Sequence, residues 1–211
     1  ALAVAGAEPS TSGKVEQYNG SSWTEITDLN TARRELAGSG TTTAGLAFTG
    51  GPPATGKTED WNGSAWTEVN DLGSARYRGA GSVPAPSTTT LAFGGTNSGN
   101  VASTEEWSFS GLPPSTPAAG YADAIVGEIY YNSSTGQFKA VTDGGAPIGS
   151  FSSGATLPTA KDYMRGIGIQ TACLGVAGTT PSYGEANKTN SYNGTAWSEL
   201  ANLNLGRSDG T

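Results

Sequence analysis

Four segments of this chain are copies of one another, and that repetition limits the fold more than any other feature. LAVAG starts at Leu2, LAFTG at Leu46, LAFGG at Leu91 and LGVAG at Leu174. Behind each lies a second block: VEQYNG (15–20), TEDWNG (58–63), TEEWSF (104–109) and TNSYNG (189–194). A third block follows, SSWTEITDLNTAR (21–33), SAWTEVNDLGSAR (64–76), GSFSSGATLPTAK (149–161) and TAWSELANLNLGR (195–207). In every copy an aromatic stands six residues before a leucine: Trp23–Leu29, Trp66–Leu72, Phe151–Leu157 and Trp197–Leu203. The third copy is longer because a segment near 112–148 is inserted between Trp107 and Phe151. A unit of roughly 45 residues repeated in tandem points to a propeller or solenoid.

Each unit reads as β-structure. The LAF and LAV runs are short, apolar and closed by glycine, while TEDW and AWTEV alternate polar and apolar residues as half-buried strands do. Asn19-Gly20, Asn62-Gly63 and Asn193-Gly194 stand between the second and third blocks, where they predict tight type I′ hairpin turns. The stretch after each Arg or Lys supplies a small-residue strand. Four antiparallel strands per unit describe a propeller blade, whereas solenoids use shorter repeats without a hairpin in each. The expected fold is therefore all-β: a propeller of four blades of four strands, with a hairpin-containing insertion in the third repeat. Repeats one to three occupy 1–111 up to the insertion, the linker and hairpin 112–148, and the remainder 149–211. Laid end to end, the two termini complete one blade apart from about seven positions, so the remainder is expected to close the ring with the N-terminal strands. A longer array with more blades is the alternative.

Composition narrows the chemistry. There is no histidine, which removes His-based nucleophilic catalysis and His metal sites. One cysteine, Cys173, allows no internal disulfide. The net charge of −7 and the lack of any basic stripe argue against nucleic acid as a partner. No apolar run approaches the roughly 18 residues of a membrane span. No cofactor and no metal are expected, and no catalytic residues are assigned.

The glycine pairs Gly50-Gly51 and Gly94-Gly95, followed by Trp61 and Trp66 or by Trp107, and the segments DLNTAR and DLGSAR, resemble kelch repeats. The wording WNGSAWTEVNDLGSAR with LAFGG is similar to kelch-like repeats in tail-fibre and virion proteins of marine bacteriophages. Within the insertion, VGEIYYNSSTGQFKAV (126–141) is similar to a short hairpin module common in phage tail fibres. The kelch-like resemblance covers everything except the insertion. It implies a β-propeller in a virion or extracellular location, with host attachment or virion assembly as its role.

Recurrence separates packing residues from candidate site residues. Tyr18, Trp23, Trp61, Trp66, Trp107, Tyr192 and Trp197 hold equivalent slots, which suits burial between blades better than sugar stacking. Glu16, Glu59 and Glu105, with Arg33, Arg76, Lys161 and Arg207, recur likewise and predict structural ion pairs between blades. Cys173, in an apolar strand, is expected to be a buried, inert thiol. The links after the marker glycines vary most, at 7–14, 51–57, 96–103 and 179–188, and an antiparallel meander puts all four on one face. Loops on a rigid scaffold carry binding, so Tyr183, Glu185, Asn187, Asn97 and Asn100 are the candidate ligand residues, suited to glycan hydroxyls. Tyr130, Tyr131 and Phe138 of the inserted hairpin are candidate oligomer contacts. The expected function is a non-enzymatic, homo-oligomeric phage receptor-binding propeller that engages a host-surface glycan or protein and other virion proteins. A structural virion or filament protein without ligand is the alternative, and a polysaccharide-acting enzyme the third reading.

Overall fold

A computed structural model describes residues 1–7, 9–109, 129–132, 137–140, 149–180 and 187–207. Every regular element in it is a strand. The first repeat contains β1 (Leu2–Ala7), β2 (Thr11–Tyr18) and β3 (Trp23–Glu25). The second contains β4 (Ala37–Gly40), β5 (Gly45–Phe48), β6 (Thr58–Trp61) and β7 (Trp66–Val69). In the third, β8 (Ala80–Gly81), β9 (Thr89–Phe93) and β10 (Thr104–Phe109) precede the insertion, which contributes β11 (Ile129–Asn132) and β12 (Gln137–Ala140) before β13 (Gly149–Ser153). The fourth contains β14 (Arg165–Ile169), β15 (Ala172–Val176), β16 (Thr189–Tyr192) and β17 (Trp197–Glu199).

Each repeat forms its own antiparallel sheet: β1-β2-β3, β4-β5-β6-β7, β8-β9-β10-β13 and β14-β15-β16-β17. The sheets follow one another in a propeller-like arrangement. The inserted hairpin β11-β12 is a separate two-stranded sheet with Tyr131 opposite Phe138. It interrupts neither register nor pairing, because β10 meets β13 across it with Trp107 opposite Phe151. The same aromatic pair stands opposite in every sheet: Tyr18–Trp23, Trp61–Trp66, Trp107–Phe151 and Tyr192–Trp197, with ring centroids 4.9–5.2 Å apart.

Three apolar cores lie between successive sheets. Val15 and Leu29 of the first sheet meet Trp61 and Trp66 of the second. Leu46, Phe48 and Leu72 of the second meet Trp107 of the third. Leu91, Phe93 and Leu157 of the third meet Tyr192 and Trp197 of the fourth. Large rings from one sheet thus fill the aliphatic face of the sheet before it, which is where a glycine-rich chain gains most of its burial. Trp61, Trp66, Trp107, Tyr192 and Trp197 are buried as expected, while Tyr18 and Trp23 of the first sheet are exposed.

The small-residue strand β8 packs against both β4 and β14. A Cβ on Gly81 would stand 2.9 Å from the Gly38 carbonyl oxygen, and one on Gly166 1.9 Å from that of Gly81. Only hydrogen fits between these backbones. That accounts for glycine at 81 and 166, while a Cβ at the equivalent Gly38 would stand 3.0 Å from the Leu46 carbonyl oxygen of its own sheet.

Two local expectations are corrected. The Asn-Gly turns are not two-residue type I′ turns. Only the glycines, Gly20, Gly63 and Gly194, have positive φ. The Asn side chain instead closes a four-residue loop, accepting the N–H of the residues two and three ahead: Ser21 and Ser22, Ser64 and Ala65, Thr195 and Ala196. The 7–14 link is mostly strand, since Ala7 pairs with Thr11 and Gly6 with Ser12. The first sheet has three strands among the described residues. The expected closing strand begins in 208–211, which lie outside the described residues.

Candidate binding site

The sheet order fixes which loops share a face. The links β5–β6, β9–β10 and β15–β16 emerge at the same end as the connections from one sheet to the next. Backbone bridges tie the two sets together: Arg34 to Gly51, Thr55 to Arg76, Tyr77 to Thr96 and Asp162 to Thr179. The inserted hairpin leaves from the opposite end, between β10 and β13.

Ion pairs between sheets hold this face in register. Arg33 Nη1 lies 2.6 Å from Glu59 Oε1, and Arg76 Nη1 2.8 Å from Glu105 Oε1, all four side chains being buried. Each arginine also donates to a β-strand carbonyl, Arg33 to Ala47 and Arg76 to Ala92. Glu59 accepts from the Asn30 and Thr31 backbone N–H groups, and Glu105 from that of Gly73. Burial pushes the Arg76 guanidinium below its ordinary value, against the opposing pull of Glu105. Such charges persist in a core because every one is paired and hydrogen-bonded. The recurring acids and bases are thus structural at these two seams. At the third seam Lys161 keeps the cationic slot, but Asn190 replaces the acid.

Two residues beyond each of these cations the backbone turns left-handed. Glu35, Arg78 and Tyr163 have φ of 55°, 57° and 52°. The Arg78 N–H donates to the Glu35 carbonyl and the Tyr163 N–H to the Arg78 carbonyl. The three positions form a hydrogen-bonded arc immediately before the inner strands. A non-glycine residue in this conformation costs on the order of 1–2 kcal/mol, and glycine is the usual solution. Here the same strained slot carries a carboxylate, a guanidinium and a phenol. Arg78 Nε stands 2.8 Å from Glu35 Oε2, an ion pair about 30% exposed on both sides. Its guanidinium lies 4.7 Å from the Tyr163 ring centroid and 5.1 Å from that of Tyr77. Glu35, Arg78 and Tyr163, with Leu36, Gly79, Met164 and Arg165, line a cavity of about 220 Å³. Sequence reasoning missed this cluster because attention to the longest loops passed over a single slot. The signal was there: the slot is equivalent in three repeats, yet Glu, Arg and Tyr share no chemistry.

None of the described sequence-predicted ligand residues lines this cavity. Asn97 is exposed, its side-chain oxygen accepting the Ser98 N–H. The Asn100 amide nitrogen donates to the Thr179 carbonyl (2.6 Å) and to Asp162 (3.3 Å), joining the third and fourth sheets. Asn187 is half-buried, and its backbone carbonyl accepts the Leu203 N–H. Tyr183 and Glu185 lie outside the described residues. The backbones of Tyr130, Tyr131 and Phe138 lie on β11 and β12, and their side chains fall outside the description. Cys173 is buried, and loss of water pushes its thiol up to about 11.

These features define the class: an all-β protein of successive antiparallel sheets, propeller-like, with a cavity lined by Glu35, Arg78 and Tyr163. No model of a known protein family matches the chain, and no curated protein matches it.

Proposed function

We propose that this chain is a kelch-like, four-bladed β-propeller of a phage virion that binds a host-surface glycan or protein without catalysing a reaction. The observation that carries the reading is the arc of Glu35, Arg78 and Tyr163, where backbone strain is accepted in order to place three unlike polar side chains at one cavity. Outliers of this kind gather at ligand sites. A guanidinium donor, a carboxylate acceptor and an aromatic ring within one cavity suit a hydroxyl-rich sugar, whose ring presents both polar edges and an apolar face. The repeats' resemblance to tail-fibre proteins supports the virion setting.

A glycan array probed with the purified chain tests the reading. Binding is expected, and it should fall at least about tenfold in Arg78→Ala and in Tyr163→Ala, the loss expected for one ligand contact. Tyr183→Ala and Asn187→Ala should weaken it less. Absence of binding to any glycan or to host cells, together with regular assembly, would favour the ligand-free structural role.

A further inference from the structure

The cavity beside Arg78 runs against the charge of the chain. The chain carries a net charge of −7, yet the ionised residues of this lining are two arginines, Arg78 and Arg165, and one glutamate, Glu35. Arg78 also differs from the arginines buried between sheets. In Arg33 and Arg76, Nη1 meets a glutamate and Nη2 a strand carbonyl, so the outer edge of each guanidinium is occupied by protein. In Arg78 it is Nε that lies 2.8 Å from Glu35 Oε2. Among the described residues, neither Nη1 nor Nη2 of Arg78 donates a hydrogen bond. Four of the five guanidinium N–H donors are therefore open to a ligand.

That open fork is held in place. The Arg78 N–H donates to the Glu35 carbonyl and the Tyr163 N–H to the Arg78 carbonyl, which fixes the backbone on both sides of the Arg78 Cα. The ring centroids of Tyr163 and Tyr77 lie 4.7 and 5.1 Å from the guanidinium carbon. An arginine fixed in this way loses little side-chain freedom when a ligand arrives. Its two Nη groups match the two oxygens of a carboxylate in plane and spacing, whereas a sugar hydroxyl meets them through one oxygen only. The cavity, about 220 Å³, is smaller than the roughly 300–1,000 Å³ that encloses a drug-sized ligand, which suits one terminal sugar residue better than a length of chain.

We infer that the cavity takes a carboxylate-bearing sugar, the terminal residue of a glycan, with its carboxylate on Nη1 and Nη2 of Arg78. The inference rests on the glycan-binding reading above and narrows it to acidic sugars. Glu35 holds Arg78 from the Nε side, leaving the outer fork to the ligand. Arg165, exposed and part of the same lining, adds to the positive potential there. The net negative charge of the chain opposes this little, because exposed charges farther away than about 8 Å are largely screened at physiological salt. One terminal carboxylate is a different ligand from a polyanion, which needs a basic stripe that this sequence lacks.

Matched glycans separate the outcomes. The whole chain is titrated at physiological salt with oligosaccharides ending in glucuronic acid or in sialic acid, each beside a counterpart whose carboxyl group has been reduced to the alcohol. At least one acid is expected to bind about tenfold or more tighter than its own alcohol, and the preferred acid identifies the sugar. Arg78→Gln should bring that ratio close to one. Arg78→Lys keeps the charge but loses the fork, and should also lower it. Arg165→Gln, at an exposed position where the fold is not at stake, should lower it in the same direction. The ratio is taken within each variant, so a share of unfolded protein does not affect it. Equal binding of acid and alcohol overturns the inference and leaves the glycan reading standing, whereas binding of no glycan overturns both. A ratio that survives Arg78→Gln, or Arg78-dependent binding of an acidic peptide and of no acidic sugar, overturns the inference as well.

Discussion

Arg33 and Glu59 come from neighbouring repeats and meet at 2.6 Å with both side chains buried, and the same pairing recurs between Arg76 and Glu105. Removing one partner strands a charge in the core. Glu59→Gln and Arg33→Met are each expected to cost about 3–5 kcal/mol, whereas an apolar replacement of both together should cost much less. Urea unfolding of the two single variants and the double variant checks this. Additive losses would show that the two side chains are not coupled.

Burial sets apart two tryptophans that the sequence treats as alike. Trp107 is almost wholly buried and Trp23 half exposed. Trp107→Ala should cost about 3–5 kcal/mol through lost transfer energy and the cavity left behind. Trp23→Ala at high dilution should cost well under half of that. Denaturation followed by circular dichroism gives both values, and equal losses would contradict the exposure of the first sheet.

Glycines separate by neighbourhood. Gly166→Ala drives a methyl group into the Gly81 carbonyl, so a fall of several degrees in Tm is expected, from an overpacking cost of about 1–3 kcal/mol or more. Gly99 has open space around the equivalent position, and Gly99→Ala should leave Tm within a degree or two. Calorimetry compares them directly.

Two buried groups make the fold sensitive to alkali. Burial pushes the Cys173 thiol up to about 11. Burial, with the nearby Glu106 carboxylate that its hydroxyl contacts, pushes Tyr192 up to about 12. The unfolded chain releases these protons near 9 and 10, earlier than the folded one. Stability is therefore full below about pH 9 and is lost as pH rises toward 11 and 12, by on the order of 1–3 kcal/mol per group. Urea midpoints measured from pH 8 to 11 should fall. In the native state below pH 9, Cys173 should react with a disulfide reagent only at the rate of unfolding.

What the sequence determined by itself was everything that repeats. The leucine runs, the aromatic six residues before each leucine, and the glycines at 81 and 166 recur because each repeat must fit the next in the same way. Sheets, strand order, the inserted hairpin and two buried ion pairs were legible from that register. Tertiary structure decided what differs between equivalent positions. The Asn side chain, and not a type I′ backbone, closes the turns, because its oxygen reaches two N–H groups ahead. Glu35, Arg78 and Tyr163 share no local motif, and the fold brings three left-handed backbones to one cavity. Trp23 and Trp66 stand in the same motif, yet one is exposed and the other buried. Burial belongs to the neighbouring sheet that covers a residue, and no local sequence carries that information.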